Sequence, residues 1–180
     1  MKLLVHTCCA PCIIYPLEAL KKHGFGQIAG FFYNPNIHPY TEYINRKKAL
    51  EEYSRKNKIR VFFHKHDMKN YFRRVSGHED HGSRCALCWR MRLDETALFA
   101  SQNDYSHFTT TLLVSPHQDQ KVIKMIGEEA AGKYGVEFFY QDFREGFRRS
   151  QDKAKEDNLY RQKYCGCLFS ERERYEKHKL

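Results

Sequence analysis

Residues 3–12 read LLVHTCCAPC, a short apolar run that leads directly into three cysteines. A run of this kind, bounded by small and polar residues, predicts a buried β-strand over 2–6. Comparable runs of aliphatic and aromatic residues recur four times further along the chain. They predict strands at 27–33, 59–64, 107–113 and 136–140.

The segments between these strands have the apolar spacing of helices. They predict helices over 16–23, 41–56, 86–101 and 117–134. Strand–helix alternation favours an α/β fold with a mostly parallel sheet and helices on both faces, in a Rossmann-like or nucleotide-hydrolase-like arrangement. Ligands of such sheets bind beyond the carboxyl ends of the strands, so the cysteines after the first strand are predicted to lie in a functional site.

The length and composition indicate one catalytic domain over residues 1–180. A chain of 180 residues buries a sizeable core, and 41% hydrophobic with 29% charged residues is ordinary for a soluble globule. The sequence has no apolar run of about 18 residues that would predict a membrane span. The residues before Cys8 are too few for the core of a signal peptide, so we predict a cytoplasmic protein without membrane contact.

The chain is basic, with 31 Lys and Arg against 22 Asp and Glu and a formal net charge of +9. A domain with this excess often binds nucleic acid, although a solvated lysine-rich surface gives the same count. The sheet pattern stops near residue 141, and residues 144–180 hold eleven basic and seven acidic side chains. We therefore predict a basic, helical C-terminal extension over 141–180 that folds onto the same domain.

Seven cysteines are the strongest chemical signal in the sequence. They fall into three groups: Cys8, Cys9 and Cys12; Cys85 and Cys88; Cys165 and Cys167. The first two groups each contain a C-x-x-C pair, and the third is a C-x-C whose Gly166 permits a tight turn. In a reducing compartment, clustered cysteines indicate metal ligands or redox groups rather than structural disulfides.

Three interpretations of the cysteines stay open from the residues alone. An iron–sulfur cluster is favoured, because thiolates are its ligands and need to be close only in the fold. Structural zinc comes second, since the 72 residues between Cys12 and Cys85 exceed the spacing of a zinc ribbon. Buried or purely redox-active thiols come third. One cubane needs four thiolates, so the surplus predicts a second metal or a dithiol, such as a reducible Cys165–Cys167 disulfide.

Two further segments are predicted at the same edge of the sheet. The Pro- and Asn-rich loop 33–43 follows the second strand, and we predict that Tyr33 and Asn34 form part of a substrate pocket there. Asp142 follows the last predicted strand and is either a site residue or a local turn residue. His6, inside the first strand, is interpreted as a hydrogen-bonded core histidine rather than a ligand.

Five stretches of the chain, taken in order, resemble one family. They are HTCCAPC at 6–12, FYNPNIHPYTEYINR at 32–46, RCALCWRMRLDETA at 84–97, TTLLVSPHQD at 110–119 and LYRQKYCGCLFS at 159–170. Together they resemble the epoxyqueuosine reductases of the QueH type. The motifs are long and extend over nearly the whole chain, so the resemblance is specific.

The resemblance implies an iron–sulfur oxidoreductase that converts epoxyqueuosine to queuosine at the wobble position of tRNA. Carried over residue by residue, it implies a [4Fe–4S] cluster held by Cys8, Cys9, Cys85 and Cys88. Cys12 belongs to the same motif and is grouped with the metal site, without an assigned role. Cys165 and Cys167 would be redox partners or ligands of an additional mononuclear iron, and we group Asp142 with them as a candidate catalytic residue.

The implied reaction removes an epoxide oxygen as water, which takes two electrons and two protons. A cluster supplies electrons singly, so a second redox centre would complete the pair, and a Lewis-acidic iron would polarise the C–O bond. The sequence contains neither a G-x-G-x-x-G dinucleotide fingerprint nor a Walker A loop. We therefore predict an external electron donor of the ferredoxin or flavodoxin kind.

Recognition of tRNA is predicted for the C-terminal extension, where cations would contact phosphates and aromatic rings would stack on unpaired bases. The predicted substrate-binding residues there are Arg144, Arg148, Tyr160, Arg161 and Tyr164. Two rival functions remain: an ATP-dependent tRNA sulfur transferase and a zinc-stapled tRNA-binding protein. The first lacks a glycine-containing phosphate loop after the first strand, and the second leaves adjacent Cys8 and Cys9 without a role.

Overall fold

The computed structural model describes residues 1–176, which form one five-stranded sheet and seven α-helices. The strands are β1 (Lys2–His6), β2 (Gln27–Phe32), β3 (Arg60–Phe63), β4 (His107–Thr110) and β5 (Glu137–Phe138). Their order in the sheet is β3-β2-β1-β4-β5, and every pair is parallel. The predicted α/β fold with a parallel sheet is confirmed.

The helices form two groups around the sheet. They are α1 (Ala10–Leu20), α2 (Tyr40–Lys56), α3 (Met68–Val75), α4 (Ser83–Gln102), α5 (Gln120–Tyr134), α6 (Phe147–Glu156) and α7 (Leu168–Glu176). Helix α1 packs against α2 and α6, while α4 packs against α3 and α5 and lies on β1 and β4. With right-handed crossovers, this grouping puts the two sets on opposite faces of the sheet. No helix within residues 1–176 is both long and apolar enough to cross a membrane.

The central strand β1 is where the strand order reverses, and this position locates the site. Residues Leu3, Leu4 and Val5 are fully buried because helices cover both faces of the sheet. His6 pairs in register with Phe31 of β2 and with Thr110 of β4. The residues that follow these three positions therefore meet at one edge, in the crevice where parallel sheets bind their ligands.

The first helix begins earlier than predicted. The prediction of a helix over 16–23 is wrong at its start, because α1 begins at Ala10 with Pro11 in its first turn. Proline fits the first turn of a helix, where the backbone N–H has no partner within the helix. By this rule the helix could begin beside either Pro11 or Pro16. Pro16 instead lies inside the helix. As a result Cys12 is a helical residue and not part of a loop.

Two other boundaries differ. Helix α4 begins at Ser83 rather than at 86, so Cys85 and Cys88 lie within its first two turns. Helix α3 is absent from the predictions although Asp67 caps it, accepting a hydrogen bond from the Asn70 backbone at 3.1 Å. Strand β4 ends at Thr110 and not at 113, because the Thr110 hydroxyl accepts from the Leu112 backbone and starts a 3-10 turn.

The C-terminal segment is only partly helical. Helix α6 packs on α1, where the Ser150 hydroxyl accepts from the Tyr15 backbone at 3.1 Å. Residues 157–167 then run without regular structure before α7. Residues 177–180 of the predicted extension lie outside the described residues.

Candidate metal and redox site

Three of the cysteines form a compact group at the end of β1. The Sγ atoms of Cys8, Cys9 and Cys12 all lie within 4.8 Å of one another. The Cys9 and Cys12 Sγ atoms are 2.7 Å apart, and those of Cys8 and Cys9 are 3.6 Å apart. All seven cysteines of the chain are free, so no pair is joined as a disulfide. The group has the donor atoms and the spacing to bind a metal.

Both C-x-x-C pairs occupy helix N-termini. Cys9 is the N-cap of α1 and Cys12 lies one turn further, while Cys85 and Cys88 lie in the first two turns of α4. The N-terminus of a helix carries a partial positive charge and unpaired backbone N–H groups. Thiolates and anionic thiolate-bound metal centres are stabilised there.

The thiols of the first group hydrogen-bond to one another. The pKa of Cys8 is well below its usual range, because Cys12 and Cys9 both hydrogen-bond to its sulfur. Thr111, on the turn after β4, also donates to Cys8 Sγ at 3.4 Å. Burial raises the pKa of Cys88 to about 12. Neighbouring thiols therefore favour the thiolate form of Cys8, whereas burial disfavours the thiolate form of Cys88.

The remaining cysteines line a cleft made of two adjoining cavities. The first, of about 580 Å³, is lined by Cys85, Cys88, Cys165 and Cys167 among others. The second, of about 530 Å³, is lined by Cys12 and again by Cys165. Both include His117, so Cys165 and His117 lie where the two cavities join. Cys165 is exposed, whereas Cys167 is buried.

A buried arginine lies beside the thiols. Arg92 donates from Nη2 to Asn34 Oδ1 at 2.8 Å, from Nε to His6 Nε2 at 3.2 Å and from Nη1 to Cys88 Sγ at 3.8 Å. Because a guanidinium only donates, His6 Nε2 accepts here, and its Nδ1–H donates to the Thr110 hydroxyl at 2.8 Å. Burial, followed by the charge of Arg92, lowers the pKa of His6 to about 3. His6 is therefore a neutral, hydrogen-bonded core residue, as predicted.

A second buried arginine holds the segment that carries the C-x-C. Arg46 donates to the backbone oxygens of Cys165 at 2.9 Å and Tyr164 at 3.0 Å, and it forms an ion pair with Glu42 at 2.7 Å. The Tyr160 hydroxyl donates to the other Glu42 oxygen, and the His38 backbone donates to the Gly166 oxygen at 2.7 Å. We call the residues that hold this segment, namely His38, Glu42, Arg46, Tyr160 and Tyr164, the α2 clamp.

Gly166 is required where it stands. Its φ of +149° lies in a region that side-chain-bearing residues rarely adopt. A Cβ atom there would lie 3.0 Å from Asn36 Nδ2 and 3.2 Å from Ile37 Cγ1. The tight turn predicted between Cys165 and Cys167 is therefore present, and it is packed closely against the loop after β2.

Comparisons with known proteins identify the family. Residues 3–173 match the family model described as epoxyqueuosine reductase QueH. An epoxyqueuosine reductase QueH from Dehalococcoides mccartyi is 38% identical over 177 residues, covering 98% of this chain and 96% of its own. One from Thermotoga maritima is 36% identical over 183 residues, covering 97% and 93%.

The chain belongs to the QueH family of epoxyqueuosine reductases. The family resemblance seen in the sequence motifs and the enzyme class predicted from it, an oxidoreductase, are confirmed. The sulfur transferase and the zinc-stapled binding protein are not favoured by these matches. The crystal structure of a predicted subunit of tRNA methyltransferase from Methanocaldococcus jannaschii shares the fold, with a TM-score of 0.55. It is 15% identical and covers 87% of this chain and 76% of its own, so the likeness concerns the fold alone.

Two residues predicted to bind substrate, Tyr33 and Asn34, are buried and contact other residues of the protein. Asn34 is buried, donating to the Thr7 backbone oxygen at 2.9 Å and accepting from Arg92. Tyr33 is also buried, and its ring packs edge to face with that of His64, with centroids 5.3 Å apart. Both lie beside the site, and their contacts support its walls.

The predicted residues of the C-terminal segment lie in several environments. Asp142 pairs with Arg144 at 2.5 Å and accepts from the Arg144 backbone at 3.0 Å, which is the local turn that the sequence left open. Tyr160 and Tyr164 belong to the α2 clamp and keep part of their rings exposed. Arg148 and Arg161 are exposed, and neither forms an ion pair within residues 1–176.

Four residues of the QueH site are missing from the sequence predictions: Arg92, Arg46, Gln162 and His117. Gln162 donates to Cys9 Sγ at 3.0 Å and to Cys12 Sγ at 3.4 Å. A signal existed for Arg92, because Cys85, Cys88 and Arg92 follow i, i+3, i+7 helical spacing once the helix is begun at Ser83. Gln162 and His117 lie inside motifs that carry the family resemblance, but their positions relative to the cysteines in the sequence do not indicate a chemical role for either.

Proposed function

We propose that this QueH protein reduces epoxyqueuosine to queuosine at the wobble position of tRNA, releasing the epoxide oxygen as water. The observation that carries the proposal is the convergence of cysteines from three distant segments at the reversal point of a parallel sheet: five of the seven line one cleft, and the other two, Cys8 and Cys9, cluster with Cys12 at its wall. The motif resemblance and the family membership supply the substrate, and the thiols supply a redox site to act on it.

The cofactor proposed is a [4Fe–4S] cluster held by Cys8, Cys9, Cys85 and Cys88. The donor set fits, because thiolates are the usual cluster ligands and both pairs lie at positive helix ends. When bound, the cluster supplies electrons one at a time. Cys12, Cys165 and Cys167 remain for an additional iron or a dithiol.

The residues of the cleft supply binding and protons. Breaking both epoxide C–O bonds to leave an alkene and water consumes two electrons and two protons. The exposed Cys165 thiol and the His117 imidazole lie where the cavities join, and we assign proton delivery to them. The Arg46 contacts to the Tyr164 and Cys165 oxygens hold this part of the cleft in place.

The partners proposed are a tRNA and a small electron-transfer protein. Lys163 and Arg174 line the second cavity, so cations flank its entrance and suit the phosphates of an anticodon loop. Electrons come from an external donor of the ferredoxin or flavodoxin kind. The seven free thiols favour a reducing, cytoplasmic location.

The test is a turnover assay on defined RNA. Anaerobically purified protein, reconstituted with iron and sulfide, is incubated with epoxyqueuosine-containing tRNA and dithionite. Mass spectrometry of the released nucleosides should show loss of one oxygen atom from the modified base, and iron and sulfide should be present in equal amounts. Cluster-loaded protein that leaves epoxyqueuosine intact would overturn the proposal.

A further inference from the structure

Arg92 is the feature of the site that the reaction described above does not yet use. It is only 2% exposed, and no carboxylate within residues 1–176 forms an ion pair with it. Its hydrogen-bond acceptors are an imidazole, an amide and a thiol. A guanidinium stays protonated, so the protein buries a full positive charge among neutral groups.

A buried cation of this kind destabilises a protein unless an anion accompanies it. Leaving one member of a buried ion pair without its partner is strongly destabilising, because the charge has lost its hydration and gained no compensating charge. The other buried arginines have carboxylate partners, since Arg46 pairs with Glu42 and Arg84 pairs with Glu173 at 2.7 Å. Among the acceptors of Arg92, the group that can become an anion is the Cys88 thiol, to which Nη1 donates at 3.8 Å. The missing anion is therefore to be found among the thiols.

We propose that Arg92 is the fixed counter-charge of the thiolate-bound cluster and that it sets the potential at which the cluster accepts an electron. This inference rests on the proposed function, because it requires a cluster at the site. Each added electron increases the negative charge of the centre by one. A fixed cation at short range in a low-dielectric interior stabilises the reduced form more than the oxidised form, which raises the reduction potential.

The geometry makes Arg92 suited to this role. Helix α4 carries Cys85, Cys88 and Arg92 on one face, so the charge and two thiolates move as one rigid unit. His6 at the end of β1 and Asn34 just after β2 both accept hydrogen bonds from the guanidinium and fix its position. Arg92 lines neither cavity and reaches the first one only through Cys88, so it is a positioning and charge-tuning residue and not a catalytic one.

The experiment measures the reduction potential of the reconstituted cluster by redox titration followed by absorbance and electron paramagnetic resonance. Arg92→Gln removes the charge and keeps a donor. Asn34→Asp keeps Arg92 but gives it a carboxylate partner of the same shape. Both should lower the ratio of reduced to oxidised cluster at least tenfold at a fixed potential, a downward shift of about 59 mV or more for a one-electron couple. Arg92→Lys retains the charge and should shift the potential by less than half as much.

The matched control is Arg90→Met, which lies on the same helix with a side chain that is 43% exposed and paired with Glu129. Solvent screens that charge, so its removal should leave the potential unchanged. A second readout is thermal stability, because a merely structural arginine would stabilise metal-free and loaded protein equally. The proposal expects Arg92→Gln to reduce the stability gained on cluster loading and to spare the metal-free protein.

The outcomes separate this inference from the proposed function. Wild-type protein that assembles no cluster overturns the cofactor assignment and the role of Arg92 together. Wild-type protein with a cluster, but with the same potential in Arg92→Gln and Asn34→Asp, overturns only the role of Arg92. If Arg92→Gln assembles no cluster, the potentials of Arg92→Lys and Asn34→Asp decide the question.

Discussion

Arg46 on α2 donates a 2.9 Å hydrogen bond to the backbone oxygen of Cys165, 119 residues later in the chain. The bond connects a helix on one face of the sheet to the C-x-C turn above the site. The Arg46 side chain is 1% exposed and forms an ion pair with Glu42, which in turn accepts a hydrogen bond from the Tyr160 hydroxyl. The position of Cys165 in the cleft therefore depends on a buried charge pair that contacts no substrate.

Breaking this pair should destabilise the protein. Arg46→Met leaves the Glu42 carboxylate buried without its cation, and we expect a loss of about 3–5 kcal/mol in the free energy of unfolding. The double variant Arg46→Met with Glu42→Leu should recover part of that loss, because it removes both charges. Urea unfolding measures the three values. Lys47→Met, whose side chain is 34% exposed on the same helix, should cost less than about 1 kcal/mol. An Arg46→Met protein as stable as Lys47→Met would contradict the assignment.

The proposed ligand set can be tested by removing cysteines one at a time. Cys85→Ala should lose iron and sulfide together, because one corner of the cubane has no protein ligand. Cys12→Ala should keep both, although its sulfur lies 2.7 Å from that of Cys9. Anaerobic metal and sulfide analysis gives the answer. Full iron and sulfide in Cys85→Ala, or their loss in Cys12→Ala, would favour Cys8, Cys9 and Cys12 as the ligands instead.

The C-x-C pair should be needed for turnover and not for the fold. Cys165→Ser combined with Cys167→Ser should cost about 1–2 kcal/mol of stability at most, retain the cubane and abolish conversion of epoxyqueuosine. Melting temperature, cluster content and nucleoside analysis are measured on the same sample. Turnover near the wild-type rate would exclude a role in the chemistry. If the pair binds a second iron, iron beyond the four of the cubane is lost as well.

His38 should make the fold sensitive to acid. Burial, followed by the nearby His66, lowers the pKa of His38 from 6.5 to about 4, and neither ring nitrogen has a hydrogen-bond partner within residues 1–176. Stability is fully present above pH 6.5 and decreases as pH falls toward 4, since the unfolded chain takes up the proton first. Between pH 7 and 5 the loss is roughly 2 kcal/mol.

His38→Phe removes this titration and keeps the ring, which stacks on Phe72 with centroids 4.7 Å apart. We expect the free energy of unfolding at pH 7 to be unchanged or higher. The decrease in that free energy between pH 7 and pH 5 should be smaller than in the wild type by roughly 2 kcal/mol. Urea unfolding of metal-free protein at both pH values measures it. The same pH dependence in both proteins would show that other groups cause it.

Lys163 should contribute to RNA affinity through a phosphate. It lines the second cavity, and its replacement in Lys163→Gln should weaken binding of a tRNA anticodon stem-loop and reduce the salt slope of log K by about 1. Lys22→Gln is the control, because Lys22 is exposed in the turn before β2, at the opposite edge of the sheet. Equal effects of the two variants would argue against an RNA surface at the cleft.

The sheet was predictable because its inner strands are buried on both faces. The runs at Leu3, Ile28 and Phe108 are rich in aliphatic, aromatic and β-branched residues, and each became a strand within three residues of the predicted bounds. Helix starts were less predictable, because Pro11 and Pro16 obey the same local rule and only packing chooses between them. Helix α3 was missed since only Tyr71 and Val75 are buried in it.

The cysteines of the site were predictable, while the charges around them were not. Thiol spacing and motifs are local properties of the sequence. Arg92–Cys88 and Arg46–Glu42 are local contacts within one helix. The contacts of Arg92 with residues 6 and 34, and those of Arg46 with residues 164 and 165, exist only after the strands are ordered. The sequence left the role of Asp142 open between a site residue and a turn residue. In the structure its carboxylate forms an ion pair with Arg144, two residues later in the chain.

The convergence of three distant cysteine groups fixes the order of events during biogenesis. Cys165 and Cys167 leave the ribosome after residues 8–12 and after all the strands and helices that lie between them in the sequence. The complete set of thiols is therefore available to a metal-delivery pathway only once Cys167 has emerged. A metal centre bound across these groups would connect both halves of the chain, so its binding free energy would add to the resistance against unfolding. After a nick between α6 and Tyr164, the C-x-C segment would be held to the rest of the protein by non-covalent contacts alone, such as those of Arg46 with the Tyr164 and Cys165 oxygens.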